Sequence, residues 1–187
     1  RPERSGNMVL YALIASLPYL KRDDAPSISA EDLDSSAESF LNAKQFAEFK
    51  KLSLTAAPSD FPKNGLAARY LEWETALRNS IAKARAARLN LDASAYLHAD
   101  GVYETDADRA VREAFAAENP LEREKLLDNA RWNKLDELEG GQHFSYGALC
   151  IYKLKLELLL KWKARKAELS QRNLDLAAAE VRKNELS

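Results

Sequence analysis

The groups in this 187-residue sequence best suited to bond-making chemistry are two histidines and one cysteine, set among many carboxylates. His98 and His143 are far apart, and neither has a Cys, Asp or Glu at a familiar metal-ligand spacing. His143 and Cys150 could be read as a base and a nucleophile. Cys150, however, lies between Leu149 and Ile151 on the apolar side of a helical pattern, where a buried structural thiol is the simpler assignment. No glycine-rich phosphate loop and no Gly-x-Ser-x-Gly elbow occurs in the sequence. The carboxylates spread over helix exteriors, as solvated faces do. These patterns predict a protein without catalytic, cofactor-binding or metal-binding residues.

The remaining chemistry is that of recognition. Arg131 beside Trp132, followed by Asp136, has the residue types that dominate protein-binding patches. The competing reading buries Trp132 in the core and pairs Arg131 with Asp128 or Asp136.

The helix that carries these residues is fully punctuated. In Asn119–Gly141, Asn119 can cap the free N–H groups of the first turn, and Pro120 suits the first helical position. Glu122 stands where it can reach back to the cap. Leu127, Arg131, Leu135 and Leu138 recur at helical spacing, with Leu121, Ala130 and Trp132 widening the buried side. Gly140 and Gly141 can take the left-handed conformation that ends a helix. A second strong helix spans Leu66 to about Leu89, with a stripe of Leu66, Tyr70, Trp73, Leu77, Ile81 and Ala84. In it Glu74 and Arg78 stand four apart in the favourable order.

The rest of the chain follows the same period. Residues 1–7 precede the only methionine, Met8, and are set aside as a leader or a cloning remnant. Met8–Leu17 is apolar and admits a signal-like, a strand or a helical reading; a buried first helix agrees best with the rest. Ser29 with Asp32 opens a helix bearing Leu33, Ala37, Phe40 and Leu41, and Asn42 caps the next, with Phe46, Phe49 and Leu52. The acidic residues of this first quarter, among them Asp32 and Asp34, read as a solvated face. Pro58 and Pro62 bound a loop, Gly101 marks a turn, and Thr105 to Asp108 resembles a capping box. Ser145 is a plausible cap for a last long helix. Leu149, Tyr152, Leu156, Leu159 and Leu160 are expected inside it, with Lys153, Lys155, Lys161, Lys163, Arg165 and Lys166 outside. Helical propensity continues to about Lys183 with a thinner stripe of Leu169, Leu176, Ala179 and Val181. Residues 8–187 therefore read as one all-helical domain, with 167–187 as a helical extension.

Composition narrows the function classes. The formal net charge is -1, so no global field favours nucleic acid or an anionic membrane. Charged residues make up 30%, while Gly and Pro number six each, the balance of helices with solvated outer faces. A single cysteine permits no disulfide within the chain, and a reducing compartment follows as the default. No apolar run approaches the roughly 20 residues needed to cross a bilayer as a helix.

Three stretches together, YALIASLPYL (11–20), YLEWETALRN (70–79) and ENPLEREKLLDNARWNKLDEL (118–138), resemble a bacterial family encoded alongside V-type ATPases. Its members are described as similar to the V-type ATPase component named C, or d in eukaryotes. The resemblance covers most of Met8 to Trp162. It implies an all-α fold in the style of the C/d funnel, which seats the central stalk on the membrane ring. It also implies a non-catalytic coupling or adaptor role beside the other ATPase subunits, and a cytoplasmic location at the inner membrane reached through protein partners. Its motif residues, and hence its candidate interface positions, are Trp73, Glu74, Arg78, Asn79, Arg131, Trp132 and Asp136. The alternative class is a free-standing helical adaptor that binds one partner helix.

Overall fold

The structure, a computed structural model, describes residues 3–55, 62–98 and 104–185, with side chains placed between residues 10 and 175 of these. The Pro58 break, the Gly101 turn and the side chains of Leu176, Ala179 and Val181 lie outside the described residues. The fold is all-helical, without a strand among the described residues. In chain order the helices are α1 (Glu3–Ser16), α2 (Ala30–Phe40), α3 (Ala43–Lys51), α4 (Leu66–Leu89), α5 (Thr105–Ala116), α6 (Pro120–Glu139) and α7 (Tyr146–Glu185). A short 3-10 turn, Ser94–Tyr96, interrupts the link between α4 and α5. The apolar N-terminal run is helical, and α1 begins at Glu3, within the segment set aside in the sequence.

Most ends of these helices are set by their own residues. Ser29 and Asp32 form a reciprocal capping box on α2, and the Asn42 side chain accepts from the Gln45 N–H on α3. Asn119 Oδ1 accepts from the Leu121 N–H at 2.9 Å, and Ser145 Oγ from the Ala148 N–H at 3.1 Å. Helix α4 ends on Asn90, left-handed at φ 53°, one of the few non-glycine residues that tolerate this conformation. Beyond α6, Gly141 is left-handed (φ 84°), whereas Gly140 stays at φ -43°. The expected box at Thr105–Asp108 does not form. Helix α5 is preceded by Glu104 without a side-chain cap, because Asp108 is held instead by the Ser80 hydroxyl of α4.

One hydrophobic cluster draws on all seven helices. Helix α4 packs on α5, α6 and α7; α5 and α7 both lie on α6; and α2 leans on α7 while holding α1 and α3. Phe49, Tyr70, Leu71, Leu77, Leu135, Leu149 and Leu154 are fully enclosed. The first four turns of α7 are buried nearly all round, so the simple inside–outside split expected there fails. Lys155 is only 8% exposed, and Ile151, Leu154 and Leu158 join the expected leucines. Phe40 and Leu121, in contrast, stand at the surface. From Lys166 to Asp175 every residue of α7 is exposed.

Trp73 and Trp132 both lie in the cluster at the α4–α5–α6 and α6–α7 contacts. Each truncation to Ala is expected to cost roughly 3–5 kcal/mol, the usual range for a buried aromatic ring. Urea unfolding checks this, and a loss below about 1 kcal/mol for both would place the rings outside the core.

Candidate functional site

The motif residues of α4 and α6 meet in a buried ionic lattice. Tyr70, Glu74 and Arg78 follow one another four apart, so helical geometry stacks them on one face of α4. Glu74 is only 2% exposed. Across the helix–helix contact, Arg131 of α6 grips it with two parallel bonds, Nε to Oε2 and Nη2 to Oε1, both 2.9 Å. Arg78 Nε adds a third donor to Oε1 at 3.1 Å, and its Nη2 donates to the Leu54 carbonyl in the segment after α3. The Tyr70 hydroxyl lies 3.4 Å from Oε2. Burial and the adjoining Glu74 carboxylate hold that phenol well above its ordinary pKa, so it stays a neutral donor.

The lattice continues from α6 into α7. Arg131 Nη1 donates to Asp128 Oδ1 at 2.7 Å, one helical turn away. Asp128 is itself buried, and its second oxygen accepts from Lys161 Nζ at 2.7 Å and from the Trp162 indole at 3.0 Å. Lys161 also reaches Glu124 at 3.0 Å, whose other oxygen is held by Arg165. Burial disfavours the Arg131 charge, but its partners, Glu74 foremost, outweigh it and hold the guanidinium charged far beyond any ordinary pH.

The other motif residues serve neighbouring contacts. The Trp73 indole donates to Asp106 of α5 at 3.0 Å, and Lys134 of α6 reaches the same carboxylate at 3.2 Å. Asn79 pairs with the backbone of His98, donating to its carbonyl (3.0 Å) and accepting from its N–H (2.8 Å). Trp132 is buried beneath Lys155, whose Nζ sits 5.6 Å from the ring centre. Asp136, half exposed, and Glu139 both pair with that lysine. The structure thus brings Glu74, Arg78 and Arg131 together and spreads Trp73, Asn79, Trp132 and Asp136 over adjoining helix contacts. Sequence spacing identified Glu74–Arg78 and offered Asp128 to Arg131. It missed the grip of Arg131 on Glu74 and the roles of Lys155 and Asp106. The local signals for the hub were Glu74 and Arg78 four apart on α4, and Glu124, Asp128 and Arg131 one turn apart on α6.

This arrangement binds helices rather than reactants. Every carboxylate of the lattice is engaged by a cation, leaving none to serve as a base. Burial pushes the Cys150 thiol up to about 12, and among the described residues no hydrogen bond joins it to His143. Among the described residues no group of three or more His, Cys, Asp or Glu could hold a metal ion.

Beside the lattice, a groove of about 360 Å³ opens between α6, α7 and the turn before α2. Its apolar lining is Leu121, Trp132, Leu158, Leu159, Trp162 and Leu169.

Removing one partner from the buried pair leaves the other charge stranded. Arg131→Met is therefore expected to cost roughly 3–5 kcal/mol in urea unfolding, and the double variant Glu74→Leu/Arg131→Met markedly less. A double variant as unstable as the single one would show that the pair contributes by packing alone.

The lattice margins set the acid response. Burial raises the carboxyls of Asp106 and Glu124, but their cation partners outweigh it. Lys134 holds Asp106, and Lys161 with Arg165 holds Glu124, below the ordinary range. The unfolded chain takes up these protons first, so both pairings stabilise fully above the unfolded value of roughly 4. They are lost as pH falls through the lower folded value. The urea midpoint is expected to drop below about pH 4, and less steeply in Asp106→Asn/Glu124→Gln.

No family model, curated protein or solved structure matches this chain, so its functional reading rests on its own geometry and on the motif resemblance.

Proposed function

We propose that this protein is a non-catalytic helical subunit or accessory protein of a V-type rotary ATPase, helping to couple or seat the central stalk on the membrane ring. The observation that carries the reading is the bidentate Glu74–Arg131 pair, because it joins two of the three stretches on which the resemblance rests. A part that transmits force between stalk and ring must hold its helices in register. A buried two-point ionic clamp does this better than an apolar seam, since sliding by one residue, about 1.5 Å, breaks both bonds. The motif residues then act as the internal frame, and the surfaces that meet other subunits lie outside them. A free-standing adaptor is the second reading, favoured by the open apolar groove beside Trp162.

No helix among the described residues is long and apolar enough to cross a membrane, so the proposed attachment runs through protein partners. The purified protein is expected to stay in the supernatant with anionic liposomes at physiological salt and to pellet with native membranes that contain the ATPase. Tight binding to bare liposomes would assign the contact to an interfacial amphipathic helix instead. Association with neither would overturn the ATPase reading in favour of the adaptor.

A further inference from the structure

The groove between α6, α7 and the turn before α2 has an apolar lining and a charged rim whose charges do not balance. Three carboxylates line it, and each has a cation partner: Asp128 is held by Arg131 and Lys161, Asp24 lies 3.4 Å from Lys21, and Asp23 lies 3.9 Å from Lys125. On the same rim Arg22, Lys163 and Lys166 have no carboxylate partner among the described residues. Arg22 comes from the turn and the two lysines from α7, so two separate elements of the groove contribute the positive charge.

At the open end Leu169, 45% exposed, carries the apolar track out of the groove onto the free part of α7. An apolar lining bordered by unneutralised cations matches a helix with an apolar stripe and acidic flanks. We propose that this groove docks an acidic amphipathic helix of a protein partner.

The shape and charge of the molecule favour this occupant over others. The exposed arm of a second copy balances Lys166 and Arg172 with Glu168 and Asp175, so it brings no net negative charge to a positive rim. The acidic helix α2 of a second copy already buries its apolar residues Leu33 and Ala37 in its own core. A bilayer presents a broad plane, whereas Trp132, Leu158 and Leu159 lie buried at the bottom of a concave site. The partner helix need not belong to an ATPase for the groove to take it.

The test uses two fluorescein-labelled synthetic helical peptides with the same leucine stripe, one flanked by glutamates and the other by lysines. Fluorescence anisotropy with the full chain is expected to show the glutamate peptide binding about tenfold tighter, the sum of two or three exposed ion pairs. That preference is expected to shrink as salt rises. Lys163→Glu/Lys166→Glu is expected to reverse it, and Leu169→Gln to weaken both peptides several-fold. All three positions are exposed, so unchanged circular dichroism confirms that each variant is folded. Equal affinity for the two peptides, or glutamate-peptide binding indifferent to both variants, would overturn the proposal. So would displacement of the peptide by phosphatidylserine vesicles, which would assign the groove to lipid. Concentration-dependent dimerisation abolished by Leu169→Gln would overturn it in favour of a second copy. None of these results depends on ATPase membranes, so their failure is separable from failure of the sedimentation test.

Discussion

The pair between Glu74 and Arg131 is the interaction on which the arrangement of helices depends. Taking either charge out of water costs several kcal/mol even after relaxation, and the attraction between them repays this only when the geometry is good. Here it is nearly saturated. Glu74 Oε1 accepts from Arg78 and Arg131, and Oε2 accepts from Arg131 with the Tyr70 hydroxyl close by. A carboxylate has about four acceptor sites, so little of its capacity is left unmet. The rigid fork of the guanidinium makes the clamp directional, which lysine in its place could not do. An apolar seam between α4 and α6 would tolerate sliding; this one does not.

Helix α7 extends the same logic. At about 1.5 Å per residue its 40 residues run roughly 60 Å, and the first half passes through the middle of the molecule. Through Leu160 the helix is enclosed nearly all round and has no solvated face for charged residues, so each one there finds its own partner. Lys153 goes to Asp34 of α2, Lys155 to Asp136 and Glu139 of α6, and Lys161 to Asp128 and Glu124. Glu157 takes the Ser53 hydroxyl at 2.6 Å and the Leu54 N–H at 2.8 Å. The charges of α7 thus fix which element lies against which part of the helix. Its leucines, interchangeable in shape, supply the burial.

This division explains what was legible in the sequence. Apolar spacing and caps are local, and they revealed the all-helical class, the span Leu66–Leu89 and the caps at Ser29, Asn42, Asn119 and Ser145. The Glu74–Arg78 pair was legible for the same reason, being one turn apart. Glu74 and Arg131 lie on different helices, and no local pattern says which of many arginines a buried glutamate will meet. Lys153 and Lys155 look solvent-facing in the sequence because lysines usually are. Their burial follows from α2 and α6 both packing on α7, a fact of topology. The Thr105 cap failed likewise, since Asp108 could reach either its own helix or Ser80, and packing against α4 decided it.

Recognition, by the same physics, falls away from the motif residues. Trp73, Glu74 and Asn79 are consumed by contacts within the molecule, so a partner cannot meet them without unpacking α4 from its neighbours, and of the motif residues Trp132 is the one that lines the groove. The lattice nevertheless meets the groove at Trp162. Trp162 donates its indole N–H to Asp128, which Arg131 holds from the other side, while its ring lines the open groove. Asp128, enclosed by Arg131, Lys161 and Trp162, has no spare oxygen with which to follow another position of the ring. Moving Trp162 would strip a donor from a buried carboxylate, a loss of about 1–3 kcal/mol. The ring is therefore held in place before any partner arrives. Trp162, Asp128, Arg131 and Glu74 thus form one continuous chain of bonds that joins α7, α6 and α4.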